Sequence, residues 1–281
     1  MPAWRPEEMQ GKVLIIAGSD SGGGAGIQAD IKTVTVLGGF ATTAISALTV
    51  QNTLGVSDIM PVPVSFVRAQ MRCVLDDIGT DAFKSGMLDS VEIISGVAEE
   101  IAWGRQRSGR DLPFVLDPVM VAKGGSRLLQ AEAENALKAE LMPLATLITP
   151  NIPEAEVLTE RRITCVDDMV GAGKWLNEQG AHSVLVKGGH LEGDLLTDVL
   201  VTADGQVNFF SDQRIETRHT HGTGCTLSSA IATLLAQGMP LVEAVRVSRL
   251  CLRHAIERAP GFGSGAGPLW HQALVDGLPV S

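Results

Sequence analysis

The chain has 281 residues, 45% of them hydrophobic and 19% charged, a globular composition with ample material for a large core. Its net charge of −10 argues against nucleic acid as the main partner, since that binding needs a basic face. Four cysteines without a Cys-x-x-Cys pair indicate neither a zinc cluster nor a disulfide scaffold, and no apolar run approaches the roughly 18 residues of a membrane span.

Short Val/Ile/Leu/Ala runs alternate with longer segments of helical period, the order of a parallel sheet covered by helices. Strands are expected at 13–17, 42–48, 82–84, 114–116, 146–149 and 183–187; most are continuously apolar, as strands buried on both faces are. Helices are expected at 27–37, 66–76, 91–103, 131–141 and 166–179, the third opened by the capping-box spacing of Asp89-Ser90-Val91-Glu92. Residues 54–64, with Pro61 and Pro63, read as an edge strand or flap. After Lys187 the pattern changes: 198–202 and 207–210 flank a turn at Asp204-Gly205, and helices follow at 223–237 and 241–259. No repeat, low-complexity stretch or linker interrupts this order, so a single domain over 1–281 is expected. The opening MPAWRPEEMQ lacks the basic-then-apolar order of a signal peptide, which makes a cytoplasmic location the expectation.

The first glycine-rich stretch is AGSDSGGGAGIQAD at 17–30. A Walker A loop requires Gly-Lys-Ser/Thr at its end, and no lysine follows these glycines. Gly24-Ala25-Gly26-Ile27-Gln28-Ala29 fits a dinucleotide fingerprint, but 44–53 holds no carboxylate for a ribose, and the first glycine comes several residues after the expected strand end. Both familiar phosphate readings fail.

A second glycine-rich stretch, His219 to Thr226 (HTHGTGCT), stands directly ahead of an apolar-periodic helix. Glycines there leave several N–H groups to converge on an anion, and a cysteine just inside the turn is expected to have a lowered pKa. The alternative is a small buried thiol packed on the sheet. Thr149-Pro150-Asn151-Ile152-Pro153-Glu154 reads either as a helix start, with Asn151 as N-cap and Glu154 at N3, or as a strand end bringing an amide and a carboxylate to magnesium through water. Asp117, in Leu-Asp-Pro-Val-Met, ends a buried strand where open α/β sheets place ligands. Lys123-Gly124-Gly125 and Lys187-Gly188-Gly189 set lysines beside glycines. Sites of this kind at successive strand ends point jointly to a nucleotide phosphotransferase without a P-loop.

These motifs resemble the ribokinase-like superfamily, and within it the hydroxymethylpyrimidine and hydroxymethylpyrimidine-phosphate kinases of thiamine biosynthesis. The matching text is AGSDSGGGAGIQADIKT, ALTVQNTLGV, KSGML, LDPVM, LITPNIPEAEVL, VKGGH, HTHGTGCTLSSAIA and GSGAGPL, in the family's order over 13–269. The resemblance implies a three-layer αβα sandwich with a mostly parallel central sheet, a homodimer, and Mg2+ with ATP as phosphoryl donor to a small pyrimidine. By motif it implies that Gly18, Asp30, Gln51 and Met87 line the pyrimidine pocket. Gly222, Thr223, Gly224 and Cys225 would form the catalytic anion hole, with Cys225 where many sugar kinases of the superfamily carry an aspartate base. Asp117 and Glu154 would organise the metal with Asn151, and Lys187 would contact ATP phosphates. Residues 1–11 have no counterpart in the shortest family members and are expected to be a loose extension. The rivals are a pyridoxal or pyridoxine kinase and a non-catalytic pyrimidine-binding protein; a dinucleotide oxidoreductase is rejected for the missing ribose acid.

Overall fold

Neighbouring side chains of β1 (Lys12–Asp20) face opposite ways, and both ways are buried. Leu14 and Ile16 join one apolar cluster, while Val13, Ile15 and Ala17 join another, each at most 1% exposed. Such a strand must lie inside a sheet covered on both faces. The computed structural model describes residues 11–120 and 131–277; residues 1–10 of the expected extension and the Lys123-Gly124-Gly125 loop lie outside the described residues.

The remaining strands are β2 (Phe40–Asn52), β3 (Gly55–Pro61), β4 (Ala82–Ser85), β5 (Phe114–Leu116), β6 (Leu147–Ile148), β7 (Val184–Val186), β8 (Leu195–Val201) and β9 (Val207–Gln213). They form one sheet in the order β3-β2-β1-β4-β5-β6-β7-β8-β9, parallel from β2 to β7 and antiparallel at both edges. On one face lie α2 (Val64–Asp77), α3 (Val91–Ser108), α4 (Ala131–Ala136), α5 (Ile152–Thr159) and α6 (Val166–Glu178). On the other lie α1 (Gly26–Val36), α7 (Thr223–Ala236) and α8 (Leu241–Glu257). The expected three-layer αβα arrangement is the one observed.

Differences from the sequence reading have local causes. Strand β2 runs on to Asn52 because, of the two expectations for 54–64, the edge strand is the one formed, as β3, which pairs with it antiparallel. Helix α3 continues past Trp103 to Ser108 and stops at Gly109, whose φ of 62° ends the helix in the left-handed region. The expected helix at 131–141 keeps α geometry only to Ala136. A wide π turn (Leu137–Leu141) and a 3-10 turn (Met142–Leu144) complete it, since Pro143 cannot continue the α ladder. The β8–β9 hairpin turns where expected, Gly205 donating to Thr202 O at a φ of 80°.

A buried ion pair fixes how α1 and α7 sit on the sheet. Phe83 of β4 faces the α2/α3 layer, so Lys84 faces α1 and α7, where no water reaches it. Its Nζ lies 2.9 Å from both oxygens of Asp30 on α1, and Ser229 of α7 donates to Asp30 Oδ1 at 2.7 Å. Burial alone would lower the ammonium's pKa, but the Asp30 carboxylate more than offsets it and holds Lys84 above its ordinary range. Asp30 was expected at the wall of a pyrimidine pocket; in the structure it is fully buried, as the counter-ion of Lys84. Lys84→Met strands the Asp30 charge and is expected to cost about 3–5 kcal/mol in urea unfolding, most of it recovered when Asp30→Asn is added.

Candidate active site

Two glycine-rich turns, 200 residues apart in sequence, meet at the carboxyl end of β1. Gly222, the N-cap of α7, sits at a φ of 83°, and a Cβ there would lie 1.8 Å from Gly24 O. Only glycine lets the two backbones come this close.

The first turn carries its own anion. Asp20 ends β1 and accepts from the N–H groups of Gly22 (2.8 Å), Gly24 (3.0 Å) and Ala25 (2.8 Å). The backbone donors that resemble a phosphate cradle are therefore occupied by a side chain of the same loop. His221 Nε2 lies 2.9 Å from Asp20 Oδ2 and joins the two turns a second time. Burial would raise the Asp20 carboxyl, but the contact with His221 and the Ala25 and Gly22 N–H groups outweigh it and hold Asp20 below its ordinary value.

Gln51 reaches this junction from β2. Ser21 Oγ donates to its carbonyl and accepts from its N–H, both at 2.8 Å, so the backbone is clamped on the first turn. Its side-chain amide lies between Thr49 Oγ1 (3.1 Å) and His221 Nε2 (3.3 Å). The Thr49 hydroxyl has one proton and already serves Ser19 O at 2.9 Å, and His221 Nε2 needs its proton for Asp20. Reassigning the amide, with Nε2 donating to Thr49 and Oε1 sharing the His221 Nε2 proton with Asp20, avoids setting donor against donor. Gly18 and Met87 lie alongside: Met87 Sδ is 3.8 Å from where a Gly18 Cβ would stand, and Met87 O accepts from Ser46 Oγ.

The second group of candidates surrounds the start of α7. Lys187 Nζ donates to Asp117 Oδ1 at 3.2 Å, and both lie within 3.5 Å of a Cβ built on Gly224. Thr149 also donates to Asp117 Oδ1, at 3.2 Å. Asn151 and Glu154 form a full capping box on α5, Glu154 N–H to Asn151 Oδ1 at 3.0 Å and Asn151 N–H to Glu154 Oε2 at 2.8 Å. The helix-cap reading of these residues is thus realised in full. Burial pushes the Glu154 carboxyl up to about 7, opposed by Lys187 and reinforced by Asp117. Lys187 itself is held above its ordinary value: burial would lower it, and Asp117 and Glu154 outweigh that.

Cys225 corrects one expectation. Its half-buried thiol takes a contact from the Gly26 N–H, yet burial pushes its pKa up to about 12, with Lys84 opposing and Asp30 and Asp117 reinforcing. The helix start does not make it a thiolate at rest. The sequence reading passed over Lys84, Asp20 and His221. A lysine inside a run destined to be a central strand is itself a signal, because a buried ammonium must have a partner.

A family model described as phosphomethylpyrimidine kinase matches residues 20–270. A hydroxymethylpyrimidine/phosphomethylpyrimidine kinase of Haemophilus influenzae is 48% identical over 270 residues, which cover 93% of this chain and 97% of that protein. A thiamine biosynthesis bifunctional protein of Geobacter sulfurreducens is 49% identical over 262 residues, 93% of this chain; the match spans only 52% of that longer protein. The crystal structure of an ADP complex of Bacillus subtilis pyridoxal kinase superposes with a TM-score of 0.85 at 36% identity, covering 95% of this chain and 99% of that one.

Asp20 supplies a pH-dependent part of the stability. Its folded pKa is depressed, so the contribution is fully present above its ordinary value of 3.8 and is lost as pH falls through the lower folded value. Asp20→Asn is expected to cost about 2 kcal/mol near neutrality. In urea unfolding at a series of pH values, that difference should shrink below pH 3.8.

Proposed function

The chain belongs to the phosphomethylpyrimidine kinase family, and from that premise we propose that it is a single-domain phosphotransferase. It moves the terminal phosphoryl of ATP to 4-amino-5-hydroxymethyl-2-methylpyrimidine and then to the monophosphate, giving the diphosphate. The observation that carries this reading is the meeting of an anion-binding helix start, Gly222 to Cys225, with the Lys187–Asp117 pair on one side and the Gln51 junction on the other.

The acceptor lies against Gly18, Met87 and Gln51. An amide held at both ends presents a spare donor and a spare acceptor side by side, which matches the ring nitrogen and amino group of an aminopyrimidine edge. Asp30 acts from below, fixing Lys84 near Cys225. Of the first-turn N–H groups of α7, that of Thr223 makes only a long 3.5 Å contact with Thr220 O, and it joins those of Gly224 and Cys225 in receiving the oxygens of the transferring group. Lys187 exchanges Asp117 for phosphate oxygens. Asn151 commits its oxygen to the cap, which leaves its Nδ2 donor for phosphate.

Two neighbouring carboxyl groups, one raised chiefly by burial with the other reinforcing, suit a hard cation held through water, so Asp117 and Glu154 fit Mg2+. Bound there with ATP, the ion neutralises charge on the phosphates. Since Cys225 is a thiol at rest, it takes no proton in advance; as the hydroxyl oxygen bonds to phosphorus, the thiol takes the alcohol proton and passes its own S–H proton to an oxygen of the transferring phosphoryl, a relay that leaves the sulfur unchanged. A loose transition state asks little of a base, so positioning and charge neutralisation do most of the work. The monophosphate needs no base, because a phosphate monoester is mostly dianionic at neutral pH.

The same reading includes a cytoplasmic homodimer, whose second copy would cover the apolar residues Val50, Leu54, Met60 and Phe66 exposed around β3. A second reading, a pyridine-alcohol kinase, is favoured by the likeness to the pyridoxal kinase structure.

ADP release with Mg-ATP, measured against hydroxymethylpyrimidine, its monophosphate, pyridoxal and pyridoxine with products weighed by mass spectrometry, separates the two. Turnover of both pyrimidines to the diphosphate is expected; turnover of the pyridines alone would install the second reading. Cys225→Ala is expected to slow the first phosphorylation by about 10²-fold and the second far less, and equal losses would remove the proton-accepting role.

A further inference from the structure

The closing glycine motif, residues 261–268, takes no part in the chemistry above, yet it touches both halves of the acceptor side. Its Ala266 N–H donates to Thr53 O at 2.9 Å, and Gly265 N–H to Thr53 Oγ1 at 3.3 Å. Thr53 lies in the β2–β3 turn, two residues beyond Gln51. At its far end the motif accepts from the other side: His221 N–H donates to Gly267 O at 3.1 Å, and His221 and Pro268 form a short parallel bridge. Arg218 Nη1 adds a contact to Ser264 O at 3.4 Å.

These contacts close a ring. Gln51 meets His221 by its side chain, His221 meets Gly267 by its backbone, and the motif returns to Thr53 beside Gln51. Position 265 must be glycine for the ring to close, as a Cβ there would stand 2.0 Å from Thr53 O and 3.1 Å from Leu54 N. Both are backbone atoms of the hairpin turn, which cannot rotate away as a side chain would.

We infer that residues 262–268 are a strap that sets the height of the β2–β3 turn over the acceptor pocket, with Thr53 and Gly265 as positioning residues acting through Gln51. The inference rests on the reading of Gln51 as the residue that meets the pyrimidine. The strap touches neither Lys187 nor Asp117, so its effect falls on the acceptor and spares the nucleotide.

The test is Gly265→Ala, with Thr53→Val as a milder variant that keeps volume and loses the hydroxyl, and Thr53→Ser as the rescue. Gly205→Ala, in the β8–β9 turn where an added Cβ meets nothing within 4 Å, controls for replacement of a turn glycine away from the strap. For Gly265→Ala, kcat/KM for hydroxymethylpyrimidine is expected to fall by roughly 10²-fold with KM for ATP within about twofold of wild type. Thr53→Val should raise KM for the pyrimidine several-fold, and Thr53→Ser and Gly205→Ala should match wild type. Amide hydrogen exchange at 49–54 should quicken by about tenfold or more in Gly265→Ala and not in Gly205→Ala. Equal losses toward pyrimidine and ATP, or an unchanged pyrimidine KM in both strap variants, would overturn the strap. Because exchange is read without substrate, a wild type idle on both pyrimidines would count against the kinase reading, and unchanged exchange at 49–54 would still overturn the strap.

Discussion

An ammonium with no access to water is the constraint around which this protein is arranged. Lys84 sits in the middle of a central strand, and its hydrogen-bonded counter-ion is a carboxylate from α1 that is itself held by a hydroxyl from α7, with Asp117 adding its attraction. A buried charge of this kind tolerates little displacement of its partners. The two helices that follow the two glycine turns are thereby registered on the same strand, and the turns at their N-termini meet. The backbone contact of Gly222 with Gly24 is a result of that registration as much as of the glycines.

Although the two turns look alike in sequence, they are electrostatically opposite. One arrives with its anion built in, since Asp20 saturates the donors of Gly22, Gly24 and Ala25. The other presents the first turn of α7 beside Lys187. This difference explains why neither familiar phosphate-loop pattern fits residues 17–30: the stretch is shaped to bind itself and to lie flat against its neighbour.

Most of the architecture is legible in the sequence because two-sided burial turns strands into apolar runs that helical segments cannot imitate. Strands β1, β5 and β7 are of this sort, and their positions follow directly from the pattern. The motifs also lead to Asp117, Asn151 and Lys187, each just past a strand end, and to Glu154 in the first turn of α5. What sequence patterns do not encode is the balance between competing terms at one atom. A helix start argues for a lowered thiol pKa at Cys225, but desolvation of the sulfur outweighs it. Asp30 belongs to a motif that suggests a ligand contact, while its burial depends on a lysine 54 residues away. Asp20 and His221 stand inside quoted motifs, and their pairing becomes visible only when the turns are brought together.

The ties that assemble the site are all long in sequence. Asp20 to His221 spans 201 residues, Gln51 to His221 spans 170, Asp30 to Ser229 spans 199, and Thr53 to Gly265 spans 212. During synthesis the N-terminal strands and the acceptor-side residues emerge long before the helix and strap that complete them. A nascent chain that has reached β7 has much of its sheet but must keep the Lys84–Asp30 pair and the open glycine turn uncovered until α7 leaves the ribosome. High contact order of this sort slows folding, and it gives the cell an interval in which the half-made sheet is the species that chaperones meet.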